Sequence, residues 1–319
     1  MIRLGSRRSP LALVQAHTVA DALRGAGHEV RIVEVVTTGD RDRAAPDKAK
    51  WVTELERGLD AGEIDLAVHS AKDVPGVLPD GLALVAASVR EDPRDVLIGA
   101  ASLAALPDGA RVGTASLRRA AQLLVERPDL EIVAARGNVD TRLGRLAPDH
   151  EDRLDAIVLA AAGLHRLGRH PDDVVPLEGP AFVAAPGQGT LTIEARAGDE
   201  VALAAAAVVH DAGNWACLRA ERAVARALGA DCTSAVGAHA RPVAGGLSLT
   251  GFVGAPDGSD WAVDVREGDD PEALGTLVGE RLLRAGGAEM LAAARAEVDL
   301  DGDAGIAEQH QELREDDSA

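Results

Sequence analysis

The sequence predicts an α/β protein: two α/β domains with mostly parallel sheets, then a smaller α+β domain towards the C-terminus. Three observations lead there. Short apolar segments alternate with helix-like ones over the first half of the chain, those segments end in polar or glycine-rich loops, and after Asn214 the pattern changes to a helix, closely spaced strands and a closing helix. A length of 319 residues is enough for two or three domains of ordinary size.

Ile2 to Ser6 reads as a strand, and Ser9-Pro10 as a helix start, because serine caps and proline tolerates the first turn, where its missing N–H costs nothing. That helix stops at Gly25/Gly27. Glu29 to Thr37 alternates as a strand and Trp51 to Asp60 reads as a helix. Ile64 to Val68 is a buried strand running into His69-Ser70-Ala71-Lys72-Asp73. A second α/β run begins near Arg94. Strand Arg111 to Thr114 leads to Ser116, expected to cap a helix carrying Arg118 and Arg119; strand Glu131 to Ala135 leads to Arg136-Gly137-Asn138; strand Asp155 to Leu159 leads to Ala162-Gly163-Leu164. After the Ala185-Pro186-Gly187-Gln188-Gly189 loop, a strand Leu191 to Glu194 is placed to return to the first sheet. The last domain comprises a helix from Asn214 to Leu228, a turn holding Cys232, three alternating segments and a helix from Pro271 to Arg284. The expected division is 1–90 with about 188–210, then 94–184, then 212–298, with 299–319 as an acidic, disordered tail.

Composition narrows the function. A net charge of −19 argues against nucleic acid as a partner, since that needs a basic face. No apolar run reaches the roughly 18 residues of a membrane span, and the opening MIRLGSRRSP has no signal-like apolar core, so a cytoplasmic protein is expected. Cys217 and Cys232 match neither a disulfide framework nor a metal spacing. Cys217, on a helix, reads as packing; Cys232 reads as part of a more exposed turn. Arginines gather at strand ends, as Arg7 with Arg8, Arg118 with Arg119, Arg136 with Arg142, and Arg166 with Arg169. In open α/β sheets ligands bind beyond the carboxyl ends of the strands, and cations there beside helix N-termini make a receptor for carboxylates or phosphates. Arg118 and Arg119 are helix neighbours about 100° apart, so they are expected to grip two different carboxylates rather than one.

The stretches SRRSPLALVQAH (6–17), AVHSAKDVPG (67–76), REDPRDVL (90–97), VGTASLRRAAQL (112–123), ARGNVDTRL (135–143), AAGLHRLG (161–168), PGQG (186–189) and the loop around Cys232 resemble the porphobilinogen deaminases, in that family's order and almost to Val298. The resemblance implies two domains of periplasmic-binding-protein type facing each other across a cleft, and a third that presents a cysteine. It implies a transferase of porphyrin and haem biosynthesis that condenses four porphobilinogen molecules head to tail into hydroxymethylbilane, releasing ammonia. A dipyrromethane cofactor would be held through a thioether to Cys232. Asp73 would be the catalytic carboxylate and, with Lys72, Ser116, Arg118, Arg119 and Arg136, would hold the cofactor. Arg7, Ser9, Arg142, Arg166 and Gln188 would bind substrate. The implied protein is a monomer, with porphobilinogen as its partner and neither nucleic acid nor membrane.

These residue types suit that chemistry. Every pyrrole carries an acetate and a propionate, so the growing chain is a polyanion that planar guanidinium forks grip well. A protonated Asp73 could assist amine departure; ionised, it could oppose positive charge on the ring. Apart from the resemblance, Asp73 reads equally as a turn cap before Pro75. His69 reads as orienting its neighbours, and Ser9 and Ser116 as helix caps. Two departures stand out: the short RDRAAPDKAKW segment, with Lys48, Lys50 and Trp51, where the family has a longer glycine-rich one, and His165 at a position where lysine is common. The competing class is a non-catalytic two-domain anion-binding protein of the same fold.

Overall fold

The computed structural model describes residues 1–35, 52–230 and 234–294. The first strand, β1 (Ile2–Arg7), feeds α1 (Pro10–Gly25), whose N-cap Ser9 Oγ accepts from the Ala12 N–H at 3.3 Å. The helix ends where Ala26 N–H turns back to the Ala22 and Leu23 carbonyls and Gly27 takes φ +90°. β2 (Val30–Val35), α2 (Thr53–Asp60), β3 (Leu66–Ser70) and β4 (Leu82–Ala87) follow. The first sheet has the order β2-β1-β3-β10-β4, with β10 (Leu191–Arg196) entering antiparallel between β3 and β4. The expected return of the 191–194 segment to the first sheet is therefore observed. Its core lies between the sheet and α1, around Leu4, Leu23, Leu66 and Ile193.

The second sheet repeats that plan. It comprises β5 (Asp95–Ile98), β6 (Arg111–Gly113), β7 (Glu131–Val133), β8 (Ala156–Ala160) and β9 (Val174–Pro176), in the order β7-β6-β8-β5-β9. β6 runs parallel to β7 and β8, while β5 is antiparallel to its neighbours. Helices α3 (Leu117–Glu126), α4 (Val139–Gly144) and α5 (Ala161–Arg166) leave the carboxyl ends of β6, β7 and β8. In each sheet the antiparallel strand arrives through a crossover from the other sheet, and the two crossovers are paired: Glu91 N–H donates to Gly189 O at 3.1 Å and Ser88 N–H to Leu191 O at 2.9 Å. The junction is close-packed, because Gly189 takes φ +88° and a Cβ there would meet Glu91 O at 2.4 Å.

After α6 (Glu200–Ala206), helix α7 (Ala212–Ala227) starts at Asp211, whose side chain accepts from Asn214 N–H. The third sheet is an antiparallel meander of β11 (Val236–Val243), β12 (Gly246–Gly254) and β13 (Trp261–Gly268), covered by α7 and α8 (Pro271–Leu282). Phe252, fully buried, anchors this domain against Ala121 of α3 and Val183. Burying such a side chain is worth about 1.5–3 kcal/mol. The acidic tail from 299 lies outside the described residues.

Candidate active site at the junction of three domains

The turn that carries Asp73 is set by β3. At the end of that strand the chain enters a single 3₁₀ turn (Ala71–Asp73), fastened by Ala71 N–H to Thr190 O at 3.0 Å and closed by Val74 N–H to Ala71 O. Ala71 is buried, and Gly187, at φ +75°, lies so close that an added Cβ would sit 2.8 Å from the Ala71 Cβ. Lys72 and Asp73 are half-buried. Beneath the turn, His69 Nε2 lies 3.0 Å from a Glu194 oxygen, both residues buried.

From Lys72 a continuous polar chain crosses between the lobes. Lys72 Nζ donates to Gln188 Oε1 at 3.1 Å, and Gln188 Nε2 donates to Asp95 Oδ1 at 2.9 Å and to Pro93 O at 2.7 Å. Asp95, 6% exposed, is then met by Arg118 Nη1 on one oxygen and Arg119 Nη2 on the other, each at 2.7 Å. The two arginines thus share one carboxylate, contrary to the expectation from their helical spacing. The reason is reach: β5 places Asp95 within range of the start of α3, so two long side chains that leave the helix in different directions can bend onto it. Burial alone would raise the Asp95 carboxyl, but the two guanidiniums outweigh it and hold the group well below the usual carboxylate range. Arg118, 4% exposed, is pushed down from its ordinary value by burial, with Asp95 opposing the shift.

The other expected residues fall around this chain. Arg142, on α4, is pushed down by burial; it is within electrostatic reach of both Arg119 and Asp73, and its Nε is buried without a hydrogen-bond partner among the described residues. Arg166, likewise lowered by burial, donates to Gly189 O at 2.6 Å. Arg7 ends β1, the parallel neighbour of β3, so it shares the sheet edge from which Asp73 emerges. Ser9 caps α1 as expected. Ser116 occupies the N-cap position of α3 but its side chain makes no capping bond; its own N–H donates to Thr114 Oγ1 at 3.1 Å. Arg136 stands in the loop between β7 and α4, beside Gly137 at φ +107°. His165 pairs with Glu91 at 2.9 Å. Cys217 is 3% exposed and burial pushes its thiol up to about 11, consistent with packing. Cys232 and the segment with Lys48, Lys50 and Trp51 lie outside the described residues.

Two further residues had no sequence signal. Glu221 of α7, fully buried, accepts from Arg90 Nη1 at 2.5 Å and from the N–H groups of Gly187 and Ala240, both at 2.7 Å. One carboxylate therefore ties together both crossovers and the third sheet. Arg222, one residue on, reaches the turn after Asp73.

Fold and site define a two-lobed α/β protein whose lobes and third domain meet at a junction rich in buried guanidinium and carboxylate groups. Residues 2–204 match a family described as porphobilinogen deaminase, dipyromethane cofactor binding domain, and residues 215–284 match porphobilinogen deaminase, C-terminal domain. Porphobilinogen deaminase of Roseiflexus castenholzii is 46% identical over 302 residues, covering 91% of this chain and 98% of the relative. That of Thiobacillus denitrificans is 45% identical over 301 residues, covering 91% and 97%. Among solved structures, a periplasmic substrate-binding protein of an ABC transporter from Coxiella burnetii aligns over 66% of this chain and 93% of its own, at 16% identity and a TM-score of 0.41, a likeness too slight to argue from. The chain belongs to the porphobilinogen deaminase family.

Proposed function

We propose that the junction is the active site for the family's reaction, the head-to-tail condensation of four porphobilinogen molecules into hydroxymethylbilane with release of ammonia. The carrying observation is the convergence of Asp73 and Arg142 with the polar chain from Lys72 through Gln188 and Asp95 to Arg118 and Arg119. The residues suit a carboxylate-rich cofactor: Arg142 Nε is a buried donor with no hydrogen-bond partner among the described residues, and Arg166 has a backbone carbonyl as its hydrogen-bond acceptor.

Cys232 would carry the dipyrromethane through a thioether, and Lys72, Asp73, Ser116, Arg118, Arg119 and Arg136 would hold it. When bound, that cofactor supplies the free pyrrole α-carbon at which the chain is extended. Asp73 does the proton work on incoming porphobilinogen: its carboxyl gives a proton to the departing amine, and its carboxylate faces the positive charge that develops on the pyrrole ring. Arg7, Ser9, Arg142, Arg166 and Gln188 serve substrate. Of these, Gln188 is 1% exposed and its amide is occupied by Lys72, Asp95 and Pro93, which supports an orienting role more than a direct one.

We divide the chain into 1–90 with about 188–210, 94–184 and 212–298, a reading that the membership of the described strands in three sheets supports. Among the described residues no single helix is long and apolar enough to cross a membrane. A cytoplasmic monomer belongs to the same proposal, tested by fractionation and sedimentation. The site assignment is tested by intact mass after gentle purification: a covalent adduct that gives the pyrrole colour with Ehrlich's reagent and maps to the Cys232 peptide is expected. An adduct mapped elsewhere overturns the attachment.

A further inference from the structure

Helix α7 follows the Asp73 turn with one stripe of side chains spaced four residues apart, Leu218, Arg222 and Arg226. Leu218 packs with Ala71 at the start of the turn, and Arg226 Cγ lies 3.5 Å from where a Cβ on Gly76 would be, at its end. Between them Arg222 donates from Nη1 to Val74 O at 3.2 Å and from Nη2 to Pro75 O at 2.6 Å and Gly76 O at 3.2 Å. Three consecutive carbonyls directly after Asp73 thus converge on one planar fork.

We infer that Arg222 is a positioning residue for the reaction: its guanidinium holds the 74–76 backbone and so fixes where the Asp73 carboxyl stands. The inference rests on the reading of Asp73 as the catalytic carboxylate. Chemistry favours this role over a substrate contact. The donors are already directed at backbone oxygens, and the guanidinium is half-buried, pushed down to about 10 by burial and Arg226 with Glu194 and Glu272 opposing. Pro75 contributes a fixed φ and no N–H of its own, so the backbone just after Asp73 has one donor fewer with which to fasten itself. Because α7 also carries Glu221, which binds Arg90, Gly187 and Ala240, the helix that fixes the turn is itself fixed to both crossovers and to the third sheet.

The test compares wild type, Arg222→Leu, Arg222→Lys, Asp73→Asn and the Arg222→Leu/Asp73→Asn double variant in the full holoenzyme. Misplacing a reacting group by about 1 Å costs on the order of 10²-fold. Turnover in Arg222→Leu should therefore fall about 10- to 100-fold with KM changed less than about threefold, Arg222→Lys falling between it and wild type, because an ammonium cannot span three carbonyls. Intact mass should show full adduct, and hydrogen exchange of the peptide covering 71–76 should quicken. The double variant should be no slower than Asp73→Asn alone, since a misplaced group that is already absent cannot be lost twice. Wild-type turnover in Arg222→Leu, unchanged exchange at 71–76, or losses that multiply in the double variant would overturn the inference. Should Arg222→Leu fail to fold, Arg222→Lys decides, and wild-type turnover there overturns it too. Normal turnover in Asp73→Asn removes the parent reading and this one with it; a slow Asp73→Asn beside a fast Arg222→Leu removes this one alone.

Discussion

Asp95→Asn is the sharpest probe of the junction, because the change keeps shape and removes one charge. In the native protein that carboxylate, 6% exposed, faces Arg118 and Arg119 at 2.7 Å each and accepts from Gln188 at 2.9 Å. An asparagine could keep one acceptor, but its amide nitrogen would point at guanidinium donors, leaving two buried cations without a counter-charge. Breaking a buried ion pair by removing one partner costs about 3–5 kcal/mol. Such a loss lowers the melting temperature on the order of 10 °C for a unit of this size. Scanning calorimetry on cofactor-free and cofactor-loaded protein reads it, and the loaded form should lose less if cofactor carboxylates reach the same guanidiniums. The acid limb carries a second sign. Since Asp95 is held below the ordinary carboxyl value of about 3.9, its contribution is fully present above that pH and is lost as the pH falls through the folded value. Wild type and variant should stay apart at pH 7 and converge below about pH 4. A melting shift under about 2 °C at pH 7 in both forms would refute the reasoning, for it would mean that Asp95 is not the counter-charge of the pair.

Three more outcomes follow from named contacts. Cys232→Ser should fold yet carry no pyrrole adduct by intact mass, whereas Cys217→Ser, at a buried thiol pushed up to about 11, should keep it; the opposite result would exchange their roles. Asp73→Asn should lower turnover by about 10²–10⁴ while Asp73→Glu retains more, and near-wild-type steady-state rates in Asp73→Asn would remove Asp73 from the chemistry. Gly189→Ala should destabilise more than Gly27→Ala in thermal melts. Both glycines have positive φ, but a Cβ at 189 meets Glu91 O at 2.4 Å while one at 27 meets nothing within 4 Å, so equal losses would contradict the close-packed crossover.

What the sequence makes legible is what local physics controls. Ser9-Pro10 starts α1, Gly27 stops it, and the polar ends of β3, β6, β7 and β8 lie where an open α/β sheet puts its ligands. β4 and β5 escaped because Leu82–Ala87 and Asp95–Ile98 are short and show no polar–apolar alternation. The pairing of Arg118 and Arg119 on one carboxylate also escaped, since helical spacing says where side chains leave the axis and nothing of what stands opposite. The same holds for Glu221 and Arg222. Arg90 and Glu221 are 131 residues apart, and no motif spacing encodes a contact that exists only once three domains have docked. Cys232 came from family resemblance, not from periodicity, and lies outside the described residues.

The partners of the arginines bear on how so acidic a chain can serve a polyanionic substrate. At physiological salt, charges farther than about 8 Å are largely screened, so the net charge of −19 matters less than the groups lining the junction. Those groups fall into two kinds. Arg90, Arg118 and Arg119 face carboxylates of 0–6% exposure, Arg118 and Arg119 sharing one, and Arg222 holds three carbonyls; each is already engaged in building the junction. Arg142 and Arg166, which burial also lowers, differ from the three carboxylate-paired arginines in that neither has a carboxylate within ion-pair distance among the described residues, Asp73 and Glu91 acting on them only from farther off. A buried guanidinium with no carboxylate in contact is costly to hold, and an incoming carboxylate reduces that cost by supplying one. The proposed substrate role of these two arginines thus rests on the same electrostatics that pairs Arg118 and Arg119 with Asp95, two guanidiniums on one carboxylate, which leaves one positive charge there for the cofactor they are proposed to hold.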